Sequence, residues 1–218
     1  MGSDMTRQEQ RMVTIPVPGT EIVLEGIYMA GAADEAGETP GAVVAPPHPL
    51  MGGSMDSPVV NEVAYACKAA GYATLMFNWR GVGASSGSPS GENEDGDADY
   101  AAALIHMAET VPGPLLAAGY SFGSASAVRV AGSNPRVRRL VLVAPPPMLI
   151  SEAQLAQSSA RSLLVSGTHD DFVPLSTLEG WVATNDRLRL EVVPDADHFF
   201  GVGLAAVGRS VKHFLGVA

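Results

Sequence analysis

Along the chain, short continuous runs of apolar residues alternate with longer stretches in which apolar and polar positions recur at helical spacing. Met12 to Val17 and Glu21 to Met29 are rich in β-branched residues and are joined by Pro18-Gly19-Thr20, which predicts an opening hairpin. After a loop over 31–40, apolar runs at 41–45, 72–77, 114–118, 138–144, 161–165 and 187–193 predict strands buried on both faces. Segments of helical character separate them, at 57–70, 95–110, 122–133, 151–159, 175–185 and 203–215. Strict alternation of strand and helix predicts an α/β fold with a mainly parallel sheet and helices on both faces. Ligands in such sheets gather at the carboxyl ends of the strands. The residues just after each apolar run are therefore where chemistry is expected.

One of these junctions is unusual. The run at 114–118 passes into Gly119-Tyr120-Ser121-Phe122-Gly123 and then into the small, helix-compatible Ser124-Ala125-Ser126-Ala127. A serine between two glycines at a strand-to-helix junction fits a tight turn that lifts its hydroxyl above the sheet, with side chains at 119 and 123 excluded by crowding. The N–H groups of the following helix then face the point where negative charge develops in acyl transfer. A serine hydroxyl needs a base, and the base needs an orienting acid. Of five histidines, His198 follows the last predicted strand within Asp195-Ala-Asp-His-Phe-Phe, at the expected edge of the sheet. His169 lies in an earlier loop beside the acids, while His106 and His213 belong to helical segments. Asp170 and Asp171 both follow the strand at 161–165, and neighbours in sequence point in different directions, so only one can face an imidazole. The chain order serine, aspartate, histidine matches one fold class and neither of the two well-known protease orders.

Charge and composition narrow the partners. The formal net charge of -10 argues against nucleic acid or an anionic membrane surface, which demand clustered Lys and Arg. With 46% hydrophobic and 17% charged residues, the chain has the balance of a globular protein with a large core. We expect a polar tail over 1–11 and one domain over 12–218. The lone Cys67 cannot form an internal disulfide and reads as a small buried hydrophobe. The polar start lacks the apolar stretch of a secretory signal, and no apolar run reaches the roughly 20 residues of a bilayer span, so a cytoplasmic location is the expectation.

On its motifs the sequence resembles the α/β-hydrolase superfamily, within it the small, lidless bacterial esterase-like and dienelactone-hydrolase-like group. Those motifs are Pro47-His48-Pro49-Leu50-Met51-Gly52-Gly53, Phe77-Asn78-Trp79-Arg80-Gly81-Val82-Gly83-Ala84-Ser85, the serine turn, and Gly167-Thr168-His169-Asp170-Asp171-Phe172-Val173-Pro174. The resemblance implies an eight-stranded, mostly parallel sheet with its second strand antiparallel and no large lid. It implies Ser121 as nucleophile, His198 as base and Asp170 as the acid, since the family's aspartate stands three residues after the glycine. It further implies an oxyanion hole of two backbone N–H groups, those of Phe122 and of the loop after the third strand. Pro49 has no N–H, which makes Leu50 the first candidate and Met51 the second. Dienelactone hydrolases carry cysteine where this chain has Ser121, so the implied activity is a carboxylesterase acting on small esters, and the expected lack of a lid points to short acyl chains. The same residues serve a peptidase, thioesterase or acyltransferase, and the fold can also persist as a non-catalytic binding module. No cofactor or metal is implied, the partner is a small-molecule ester, and a homodimer is left open.

Three other signals are weaker. Gly81-Val-Gly-Ala-Ser-Ser falls one glycine short of a dinucleotide fingerprint, and no helix opens there. Gly91-Glu-Asn-Glu-Asp-Gly-Asp has the wrong residues at the first and twelfth positions of a calcium loop and reads as the acidic start of a helix. Asp195, Asp197, His198, His169 and Asp170 could cluster round a metal, but the serine turn already gives His198 and Asp170 an occupation.

Overall fold

The computed structural model describes residues 10–132 and 134–217. Its eight strands are β1 (Gln10–Pro16), β2 (Val23–Met29), β3 (Gly41–Ala45), β4 (Ala73–Phe77), β5 (Leu115–Tyr120), β6 (Val137–Val143), β7 (Arg161–Gly167) and β8 (Leu188–Val193). The helices are α1 (Pro58–Ala69), α2 (Asn93–Thr110), α3 (Phe122–Ala131), α4 (Glu152–Gln157), α5 (Leu175–Thr184) and α6 (Leu204–Leu215), with a 3-10 turn over Pro49–Met51. Of the polar tail expected over 1–11, residues 1–9 lie outside the described residues, and Gln10 and Arg11 belong to β1.

All eight strands form one sheet in the order β1-β2-β4-β3-β5-β6-β7-β8. β1 and β2 pair as the expected antiparallel hairpin, β2 runs antiparallel to β4, and every later pair is parallel. Strands β3, β4 and β5 are buried at every position, which explains why they read as unbroken apolar runs.

The strand order fixes where a site can form. The chain steps from β3 to β4 in one direction and then crosses back over β3 to reach β5, after which β6, β7 and β8 follow in the same sense. Right-handed crossovers in opposite directions put α1 and α2 on opposite faces. Helix α6 packs against α1, and α3 packs against α2, which completes the two outer layers. The reversal lies between β3 and β5, and there the loops leaving the two strands diverge to open a crevice. Those loops carry Pro47 to Gly53 and Ser121. Among the described residues no helix is long and apolar enough to cross a membrane.

Candidate active site

Ser121 sits between β5 and α3 with φ 52 and ψ -116, a conformation that residues with a side chain seldom adopt. The flanking glycines make this turn sterically feasible. A Cβ on Gly119 would lie 2.2 Å from the Gly123 carbonyl, and one on Gly123 would lie 2.5 Å from the Pro46 oxygen. The Ser121 backbone is tied on both sides: its N–H donates to Val143 O at 2.8 Å, and its own carbonyl accepts the Ser124 hydroxyl at 2.6 Å.

His198 and Asp170 reach the serine from the loops after β8 and β7. The Nε2 of His198 stands 2.9 Å from Ser121 Oγ, and its Nδ1 stands 2.9 and 3.0 Å from the two carboxylate oxygens of Asp170. A carboxylate only accepts, so Nδ1 carries the proton and Nε2 is left to accept from the serine hydroxyl. Asp170 is held in turn, its Oδ1 accepting the N–H groups of Phe172 and Val173 at 2.9 and 3.1 Å. Both Asp170 and His198 are buried. Asp171, Asp195, Asp197 and His169 are exposed, and His106 and His213 lie on α2 and α6, so none of these shares the hydrogen-bonded row.

The loops carrying Asp170 and His198 lock onto one another. The His169 N–H donates to Ala196 O at 2.9 Å and the Asp195 N–H to Thr168 Oγ1 at 2.8 Å, and a Cβ on Gly167 would strike Ala196 O at 2.1 Å. Asp195 and Phe200 take positive φ on either side of His198. Tyr120, the residue before the serine, donates its hydroxyl to His198 O at 2.8 Å. Burial, and then the nearby carboxylates of Asp170 and Asp197, push the Tyr120 phenol above its ordinary pKa, so it remains a donor. Sequence reasoning missed this bond. Its only trace was a tyrosine placed between Gly119 and Ser121.

The loop after β3 is pinned by an aromatic series running out of the core. Tyr100, Phe77, Trp79, Phe122 and His48 meet edge to face at centroid distances of 5.9, 4.9, 5.4 and 5.0 Å. The Trp79 indole N–H holds Pro47 O at 2.9 Å. This arrangement changes the expectation for Leu50. Its N–H donates to His48 Nδ1 at 3.2 Å, and that of Met51 donates to His48 O at 3.0 Å, because the loop closes into a tight 3-10 turn capped by His48. Both candidate loop donors are thus engaged within the turn, and Met51 lines the cavity while Leu50 does not. The Phe122 N–H, at the first position of α3, takes no intrahelical acceptor.

Above Ser121 lies a cavity of about 500 Å³ walled mainly by prolines, methionines and aromatic rings. A second, larger hollow of about 580 Å³ lies over β1 and β2 and holds none of these residues.

A family model described as alpha/beta hydrolase fold matches residues 50–160. A serine hydrolase homologue from Coxiella burnetii superposes with a TM-score of 0.83 at 28% identity, covering 94% of this chain and 97% of that one. A lidless serine hydrolase from Xanthomonas campestris superposes at 0.80 with 26% identity over 96% and 97% of the two chains. An uncharacterized protein of Rickettsia prowazekii is 27% identical over 207 residues, 90% of this chain and 86% of that protein.

Proposed function

The chain belongs to the alpha/beta hydrolase fold family, and from that membership and the geometry above we propose that it is a serine carboxylesterase working through an acyl-enzyme. The observation that carries the proposal is the continuous row from Ser121 Oγ through the His198 ring to Asp170, every step 2.9 to 3.0 Å, opening on an apolar cavity. Ser121 attacks the ester carbonyl as His198 Nε2 takes its proton. Asp170 keeps the imidazole in the tautomer that can accept and stabilises the cation that results. The oxyanion forms at the N-terminus of α3, where the Phe122 N–H and the helix dipole meet it. The loop after β3 supplies a second donor only if the Leu50 or the Met51 N–H leaves its bond to His48 for the oxyanion. His198 returns its proton to the leaving oxygen. Water activated by the same ring then releases the acid.

Stopped-flow mixing with a p-nitrophenyl ester tests this directly. A burst of nitrophenolate close to one equivalent per chain, with an acyl mass added at Ser121, is the expected result. Steady turnover retained in Ser121→Ala would contradict it.

A further inference from the structure

The cavity's chemistry narrows the substrate beyond the word ester. Among the described residues no Lys, Arg, Asp or Glu lines it; His48 and His198 are the titratable groups with ionisable nitrogen, and His48 Nδ1 and both nitrogens of His198 already have partners. Its mouth is framed by large apolar side chains left in solvent: Met148 is 79% exposed, Met51 76%, Phe199 66% and Phe172 48%. Exposed apolar side chains gathered at the rim of one cavity mark a surface that apolar material covers. Methionines suit such a rim because their side chains adapt to different shapes.

The direction of proton transfer divides the cavity. His198 Nε2 must deliver its proton to the leaving oxygen, so the leaving group lies beside this ring. The rings of Phe172 and Phe199 stand there, 4.9 and 5.7 Å from the imidazole. That leaves the acyl group the rest of the space, whose other lining residues include Pro47, Met51, Pro58, Pro146 and Met148. An acetyl group on Ser121 would leave most of the 500 Å³ to water. An octanoyl group reaches much further into that space than an acetyl group does. Among the described residues no lid covers the mouth, and the expectation of short acyl chains rested on that, but an open mouth does not make the cavity small.

Resting on the esterase reading above, we propose that the preferred substrates are neutral esters with apolar groups on both sides of the carbonyl: a medium-length acyl chain and an uncharged leaving group. Each methylene withdrawn from water is worth a factor of about four at full burial, so even partial burial of the added chain yields a large gain. A polyanionic leaving group such as coenzyme A meets no Lys or Arg among the described residues of the cavity, and a protein of net charge -10.

The test compares p-nitrophenyl acetate with p-nitrophenyl octanoate, and octanoyl-N-acetylcysteamine with octanoyl-coenzyme A, on the intact chain. The expected kcat/KM is tenfold or more higher for octanoate than for acetate, and tenfold or more higher for the neutral thioester than for the coenzyme A thioester. Met148→Ser should lower the octanoate-to-acetate ratio at least threefold, while Phe199→Ser, beside the leaving group that both esters share, should leave that ratio within twofold. A flat or falling chain-length series, or equal rates on the two thioesters, would overturn the inference while leaving a Ser121-dependent hydrolase intact. Ester turnover that persists in Ser121→Ala would instead overturn the esterase reading, and this inference with it.

Discussion

Two polar clusters stand at the carboxyl edge of the sheet, one closed on itself and one open. Arg80, Asp95 and Asp99 form a closed network: Asp99 accepts from the Arg80 N–H at 2.9 Å and from its Nε and Nη2 at 3.0 and 2.8 Å, and Asp95 accepts from Nη1. Every group there is spent on another, and burial raises the Asp99 pKa against the pull of Arg80. Ser121, His198 and Asp170 form a row with one end free, because the serine oxygen faces the cavity. The row also rests on strained backbone, with positive φ at Ser121, Asp195 and Phe200, whereas Arg80, Asp95 and Asp99 show none. A closed ionic network fixes loops. An open row on strained turns leaves one hydroxyl facing whatever enters the cavity.

The sharpest way to break this contrast is at the serine. Ser121→Ala should lower ester turnover by roughly a millionfold, as loss of a nucleophile in such a row does, with little change in Tm; turnover within tenfold of the parent would erase the distinction. At the other end of the row, Asp170→Asn should cost about 10⁴-fold in kcat, because the amide favours the wrong tautomer of His198. Asp171→Asn, one residue away and exposed, should change kcat less than threefold. Steady-state kinetics on the pair decides which carboxylate belongs to the row.

The closed network predicts the opposite pattern. Asp99→Ala leaves Arg80 buried without its main partner, at a cost of about 3–5 kcal/mol, and Tm should fall by roughly 10 °C. The folded fraction should keep kcat within a few fold of the parent. Tyr120→Phe tests the link between β5 and the histidine loop. Removing one hydrogen bond to His198 O should cost about 1 kcal/mol, read as a several-fold loss in kcat with KM nearly constant.

The smallest effect concerns His106, on α2, whose Nε2 is buried without a partner. Burial holds its pKa below the ordinary 6.5, opposed by Glu109 and aided by Arg11. The unfolded chain therefore takes up the proton first, so this contribution to stability is intact above pH 6.5 and drains as pH falls through the folded value. Thermal melts at pH 7.5 and 5 should show a smaller drop for His106→Gln than for the parent.

Much of the fold was legible because fully buried strands leave continuous apolar runs. The run at 41–45 coincides with β3, and other elements differ by one or a few residues at their ends. The strand order was not legible, since nothing local in β4 records that it lies between β2 and β3. At the site, residues carried by tight turns stood out: the glycines round Ser121 and the spacing from Gly167 to Asp170 are local requirements. The engagement of Leu50 was hidden because it depends on where the His48 ring turns, and that is set by contact with Phe122, distant in sequence. The Tyr120 bond to His198 O was hidden for the same reason, its partners lying 78 residues apart. Local geometry writes itself into sequence; long-range pairing does not.

The most direct test is labelling with a fluorophosphonate followed by intact-mass and peptide mass spectrometry. An activated serine predicts stoichiometric modification at Ser121, abolished in Ser121→Ala and strongly slowed in His198→Ala. A chain left unmodified by the reagent, or modified at another residue, would contradict the claim that Ser121 is the nucleophile.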